Sequence, residues 1–448
     1  MSTGTHTTRR GFLASAAAFA AAGLSARPAS AQAYGLDAAR FGIVPDSTTD
    51  QTAAIQRAID ETRISGTPLF LPPGRYLAGG LVLGSSTRLT GVSGATRLVS
   101  MGGRALATAQ GAETVSLDGL VFDGMARDLG GAQALVELTG VKAASISECS
   151  IENSWADGLY LNGCGGRVAG TAISGALGAG LFSLDGDDLD ITGNHVFDCG
   201  DNGIMVWQSQ KQPDGALIAN NRVERIHNRS GGDGPYGNGI VVFRGGDVTV
   251  AGNHVRDCTF SAIRVNSGSN VIVSQNNCGR LGEVAIFVEF AYDGAVVSNN
   301  VVDRATHGIS VTNLDQGGHL AVVSGNVIRN IEIGDFPEPR GNGIFVSADT
   351  SLTGNVVENA AAAGFALGYG PYLRNVSATG NVVRKAAVGF EISVVEGVKN
   401  VIVSDNVIAE VTKAAILGME WDKAVTGDLA REGAEDYPEL TITRNRVG

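Results

Sequence analysis

Glu289, Arg264 and Asn266 are the residues best suited to chemistry in this chain, and their spacing makes them a set. Asn266 precedes Glu289 by 23 residues, an interval that recurs through most of the sequence. A carboxyl group can give or take a proton, and a guanidinium beside it can neutralise an acidic group on a ligand. Trp207 and Phe243 fall in the same phase, with Tyr160 further upstream. Aromatic faces beside amides and charges suit stacking on sugar rings and hydrogen bonding to their hydroxyls. Lys211 follows Trp207, and His227, Asp233 and Tyr236 stand on an insertion that leads into the same phase. Glu289 and Arg264 are therefore the candidate catalytic pair. Trp207, Phe243, Asn266, Lys211, Tyr160, Tyr236, His227 and Asp233 are the candidate substrate-binding residues. Two plainer readings stay open: an ordinary surface ion pair for Arg264 and Glu289, and aromatics that only cover a sheet. No metal-ligand spacing is present and no cofactor is expected; calcium stays open as a bridging ion, without a sequence signature for it.

These side chains meet only if the chain coils with that period. Gly-Ile-x-Val or a close variant begins at Gly158, Gly203, Gly239, Gly308 and Gly343, with weaker copies at Gly180, Ala262, Ala285, Gly364, Gly389 and Ala415. Two of the intervals carry insertions, 227–238 and 331–342. In step with this signal, an asparagine follows a short strand at Asn194, Asn221, Asn253, Asn276, Asn300, Asn326, Asn355, Asn381, Asn406 and Asn445, and an apolar pair follows it at Asn300, Asn326, Asn355, Asn381 and Asn406. Each repeat offers three brief alternating strands, and helical spacing is absent. The predicted fold is all-β: a single-stranded right-handed parallel β-helix with three short strands per coil. Variable loops leave and enter the Gly-Ile strand, so a groove is expected over it. The asparagines are read as a hydrogen-bonded ladder at one corner, since ten copies are too many for a ligand site.

The ends and the cysteines fit the same plan. Ala54, Ile55, Ala58 and Ile59 form an apolar stripe that predicts a capping helix near 51–62, with Thr49 or Asp50 to cap it. Such a cap hides the core of an open solenoid end. Cys199 and Cys258 occupy one slot two coils apart, ~10 Å, which is too far for a disulfide; with Cys149 and Cys278 they are read as buried fillers. The start of the chain has another purpose. Arg9-Arg10 precedes a modest alanine-rich apolar run and a small-residue cleavage site near Ala31-Gln32, the pattern of a twin-arginine export signal. The domain reading is 1–31 signal, 32–114 cap and first coils, and 115–448 repeats. Loss of the signal leaves 30 basic against 45 acidic residues, a net charge of −15. That balance disfavours nucleic acid as a partner, and no later segment is apolar enough to span a membrane.

Phe41-Gly42, Asp46, Asp50-Gln51-Thr52 and Pro72-Pro73-Gly74-Arg75-Tyr76 resemble the opening of the pectate-lyase-like superfamily of right-handed parallel β-helices. With the twin-arginine start and the repeats, the whole chain is similar to a family of twin-arginine-translocated repeat proteins. The resemblance implies a fold, a periplasmic or secreted location and passage through the twin-arginine translocase, and it supplies no reaction. Polygalacturonase-type hydrolases carry four short motifs, of which only Asp187-Asp188 and a partial Thr306-His307-Gly308 occur here. The expectation is an exported protein that binds, and as lyase or hydrolase cleaves, an acidic polysaccharide. A non-catalytic envelope module binding glycan or protein is the alternative.

Overall fold

The computed structural model describes residues 35–312, 317–334 and 340–448. Residues 1–31, read as an export signal, lie outside them, as does the middle of the second insertion. The described chain winds into a parallel β-solenoid of about 13 turns. Three parallel sheets run along it. In the first, the inward residues stack in register as Leu159, Leu181, Ile204, Ile240, Ile263, Ile286, Ile309 and Ile344. All are buried in one continuous core. No coil could hide these side chains alone, so each depends on its neighbours. Among the described residues no helix is long and apolar enough to cross a membrane.

The glycine that opens each Gly-Ile strand has a packing reason. A Cβ on Gly203 would lie 2.4 Å from the Gly239 carbonyl oxygen and 2.5 Å from a Val223 methyl. The strand must pass against an inward valine of the third sheet and against the next coil, and only the smallest side chains fit there.

The recurrent asparagine builds the opposite corner. In each step from Asn194 to Asn445, one asparagine's Oδ1 accepts both the backbone N–H and the Nδ2–H of the previous asparagine. The remaining Nδ2–H donates to a backbone carbonyl of the preceding coil, as from Asn326 to Val297 at 3.0 Å. The ladder therefore leaves no amide group unpaired inside the corner. Cys149 and Thr171 hold the same slot in the two coils before it begins.

The helix α1 (Thr52–Ser65) buries Ile55, Ala58, Ile59 and Thr62 against the first coil. Asp50 Oδ1 accepts from the Thr52 backbone N–H at 2.8 Å, and Gly66, at φ 68°, ends the helix. All five cysteines are buried and free. Ile226 pairs with Cys258, and the Cys199 carbonyl accepts from His227, so a full coil separates the two thiols. One expectation needs correction. Among the loops expected to leave the Gly-Ile strand, the one after Trp207 is instead a continuation of strand Asn202–Pro213, because Gln212 and Pro213 pair with Gly245 and Gly246 across an irregularity.

Candidate functional site

Alternation sends every second side chain of the Gly-Ile strands outward. One outward column runs Tyr160, Phe182, Met205, Val241, Arg264, Phe287; the other runs Asn162, Leu184, Trp207, Phe243, Asn266, Glu289. The rings touch in succession: Tyr160 to Phe182 at 5.4 Å, Phe182 to Trp207 at 6.0 Å, Trp207 to Phe243 at 4.4 Å between centroids. Met205, Val241 and Ala179 pack with Phe182 and Trp207 into a small apolar cluster outside the main core.

The first insertion roofs this face because polar residues before the strands hold it. Asp201 accepts from the Ser230 backbone N–H and hydroxyl at 2.7 and 2.8 Å. Asn202 donates to the Pro235 carbonyl at 3.0 Å and Asn238 to that of Gly234 at 2.9 Å. Beneath lies a cavity of about 480 Å³, with Met205, Trp207, Phe243, Phe287 and Phe290 as its apolar lining and Asp233, Arg264, Asn266 and Glu283 as its polar one.

Arg264 organises the polar side. Its Nε and Nη2 donate to the two oxygens of Glu289 at 2.7 and 3.1 Å, and Nη1 donates to the Gly234 carbonyl at 2.9 Å. Asn266 donates to Glu289 at 3.0 Å. The guanidinium also stands over the Phe287 ring, 5.1 Å from its centroid. A bidentate, nearly buried pair of this kind is no solvated surface contact. The second carboxyl is Glu283, 2% exposed. Its Oε2 lies 3.6 Å from Arg264 Nη1 and accepts from the Ser261 hydroxyl at 3.2 Å. Burial pushes the Glu283 pKa up; Arg264 opposes this and neighbouring Glu289 adds to it.

Of the residues singled out by sequence, Trp207, Phe243, Arg264, Asn266 and Asp233 line the cavity, and Glu289 is bonded to two of them. Tyr160 stands at the foot of the aromatic column. Tyr236 and His227 are exposed on the insertion and do not line the cavity. Lys211 is exposed and donates to the Ala291 carbonyl at 2.6 Å. Sequence reasoning missed Glu283 and Arg244. Glu283 stands two residues ahead of the Ala285 repeat start, the phase in which Asp201 precedes Gly203. Arg244 lies over the Phe243 ring at 4.7 Å. The two partial hydrolase motifs sit elsewhere: Asp188 turns the backbone at φ 50°, and His307 is a buried imidazole whose pKa burial lowers to about 4. Among the described residues no group of three or more His, Cys, Asp and Glu side chains is placed to hold a metal ion.

A family model described as rhamnogalacturonase A/epimerase, pectate lyase-like, matches residues 36–264, and one described as right handed beta helix region matches 211–383. No curated protein matches the chain. Similar solved structures include gene product 12 of bacteriophage phi29, at 16% identity and TM-score 0.49, where 86% of this chain aligns and spans 55% of that one. The A-module of a mannuronan C-5 epimerase from Azotobacter vinelandii aligns over 92% of this chain and 99% of its own, at 16% identity and TM-score 0.48. An α-1,3-glucanase catalytic unit from Streptomyces thermodiastaticus aligns over 91% and 71%, at 14% identity and TM-score 0.44.

Proposed function

Because the chain belongs to the rhamnogalacturonase A/epimerase, pectate lyase-like family, we propose that the roofed cavity binds an acidic polysaccharide and cleaves it, with Glu283 as the proton-transferring carboxyl. The observation that carries this reading is Glu283 itself, a buried carboxyl opening into a cavity with an aromatic lining. Burial raises its pKa from the ordinary carboxylate range, as general acid–base work at moderate pH requires. The sequence alone pointed to Glu289 for proton transfer. That carboxylate already accepts from Arg264 and Asn266, so its role is to hold Arg264, and proton transfer passes to Glu283. Trp207, Phe243 and Phe287 offer ring faces to the sugars. Arg244 and Lys211 supply positive charge for the polymer's acid groups. A hydrolase would give the Glu283 proton to the leaving glycosidic oxygen as water adds to the anomeric carbon; a lyase would take the proton from the sugar carbon beside the carboxylate, break the adjacent glycosidic C–O bond to leave a C=C bond, and return the proton to the departing oxygen.

A non-catalytic glycan-binding face is the second reading, favoured by the closed Arg264–Glu289 pair, which leaves little charge for a transition state. We also propose export through the twin-arginine route to the periplasm or exterior, supported by Arg9-Arg10 and the cleavage pattern near Ala31-Gln32. The cavity is tested by a glycan array followed by reducing-end and unsaturated-product assays on wild type and Glu283→Gln. Product from wild type and none from a variant that still binds supports the catalytic reading. Binding without product from either protein leaves the second reading, and absence of any glycan binding removes both.

A further inference from the structure

A second cavity lies on the same face, toward the C-terminus. The outward column continues from Arg264 through Phe287, Ser310, Phe345 and Ala366 to Glu391, five coils on. At ~4.8 Å per coil that is ~24 Å along the solenoid. The cavity is about 220 Å³ in volume and is bounded by Phe345, Tyr369, Glu391, Ser393, Trp421 and Asp422. A hairpin forms part of its wall, the one antiparallel pair among the described residues: Ala414–Glu420 and Lys423–Asp428, with Glu420 opposite Lys423. The two-residue turn is Trp421-Asp422. Trp421 takes φ 55° at its first position, where glycine is the usual occupant. A bulky side chain is disfavoured in that conformation, yet the indole is not spent on the core, being 46% exposed.

The surroundings make the indole part of a built corner. Its ring meets that of Tyr369 at 5.1 Å and 74°, so the two faces stand nearly perpendicular. The Tyr369 hydroxyl donates to Asp422 Oδ2 at 2.9 Å. Gly370 lies flat beneath the indole, where a Cβ would come within 2.4 Å of the ring. Glu391 presents the second carboxyl, with burial pushing its pKa up. Arg340, the one cation lining the cavity among the described residues, lies over the Tyr369 ring at 5.1 Å from its centroid. The exposed indole suits a saturated ring with an apolar C–H face, and two carboxyl groups suit a ligand rich in hydroxyl donors. The same carboxyl groups disfavour an anionic ligand.

We propose that this cavity is a second carbohydrate site, taking a neutral pyranosyl unit against the exposed Trp421 indole, with Glu391 and Asp422 as hydroxyl acceptors. It stands on its own residues and does not require turnover in the first cavity. The chain's three tryptophans, Trp155, Trp207 and Trp421, allow a direct test by fluorescence. In full-length Trp155→Phe/Trp207→Phe protein, Trp421 is the sole tryptophan and reports this site. Neutral gluco-, manno- and galacto-oligosaccharides are titrated against it beside galacturonate and mannuronate oligomers. Saturable change with at least one neutral series is expected, weakened about tenfold by Glu391→Ala, the scale of one hydrogen bond to a charged acceptor. Circular dichroism and thermal melting check that each variant is folded. No response to any neutral series overturns the proposal. So does a response to the acidic oligomers alone, or unchanged affinity in a folded Glu391→Ala variant. The companion protein Trp155→Phe/Trp421→Phe reports the first cavity through Trp207. A response there alone keeps the first cavity and rejects the second, and the reverse keeps the second alone.

Discussion

Two glutamates six residues apart have opposite surroundings, and that difference sets their chemistry. Glu289 meets three N–H donors, whereas Glu283 is buried with one hydroxyl donor and a guanidinium 3.6 Å away. The folded Glu283 pKa is raised, so the group keeps its proton to a higher pH than in the unfolded chain. As proton donor it loses that proton as pH rises through the raised value, so turnover should fall on that limb. The limb should vanish with the residual activity of Glu283→Gln, and pH–rate profiles of kcat/KM check this. Stability carries the same sign: the folded state pays for ionising Glu283 as pH rises, and the glutamine variant should escape that loss. At Trp207, truncation to alanine removes the ring stacked on Phe243 and should weaken glycan binding by roughly 1–3 kcal/mol, measured by calorimetry. An unchanged affinity would make the aromatic column a covering surface.

At the scale of elements, the corner ladder and the third sheet each bear a prediction. Asn326→Leu leaves the Asn300 N–H groups, the Val297 carbonyl and the Asn355 Oδ1 short of partners. Destabilisation of roughly 2–3 kcal/mol is expected from stranded buried groups, read by chemical denaturation. On the third sheet, Glu224 is ringed by Arg256, Arg225, Arg222 and His195. Burial would raise its carboxyl, but hydrogen bonds from Arg256, Arg225 and His195 outweigh it and hold the pKa at about 2. A depressed carboxylate adds stability above its unfolded value, near 4.5, and loses it as pH falls toward 2. The full linkage is about 3 kcal/mol, discounted to roughly 1–2 kcal/mol because the arginine partners are substantially exposed. The stability gap between wild type and Glu224→Gln should therefore close between pH 4.5 and 2. A gap independent of pH would mean that packing, not charge, matters there.

For the whole molecule, the proposed export signal makes a separable prediction. Changing Arg9 and Arg10 together to lysine should leave full-length precursor in the cytoplasm, seen by fractionation and blotting. Periplasmic accumulation of that variant would reject the twin-arginine assignment. A solenoid also explains how one face can hold two distinct cavities. Each coil adds its outward pair to the same columns, so residues more than a hundred positions apart share a surface while each touches only neighbouring coils.

The coil, its period and the asparagine corner were legible in the sequence because they repeat: the same inward residue and the same amide return at each turn, and periodicity alone places them on one face. The alignment of Trp207, Phe243, Arg264, Asn266 and Glu289 followed from that arithmetic. What the repeat does not encode had to come from the tertiary structure. Insertion 227–238 has no counterpart in other coils, so nothing in the period says that Asp201, Asn202 and Asn238 fold Gly234 and Pro235 over the groove while His227 and Tyr236 stay clear of it. The partition between Glu283 and Glu289 rests on burial and on which donors reach each carboxyl. The Trp421 corner joins a turn at one point of the chain to Tyr369 fifty-two residues earlier. Such contacts are made by particular side chains meeting once, and a single sequence records them only as unremarkable residues.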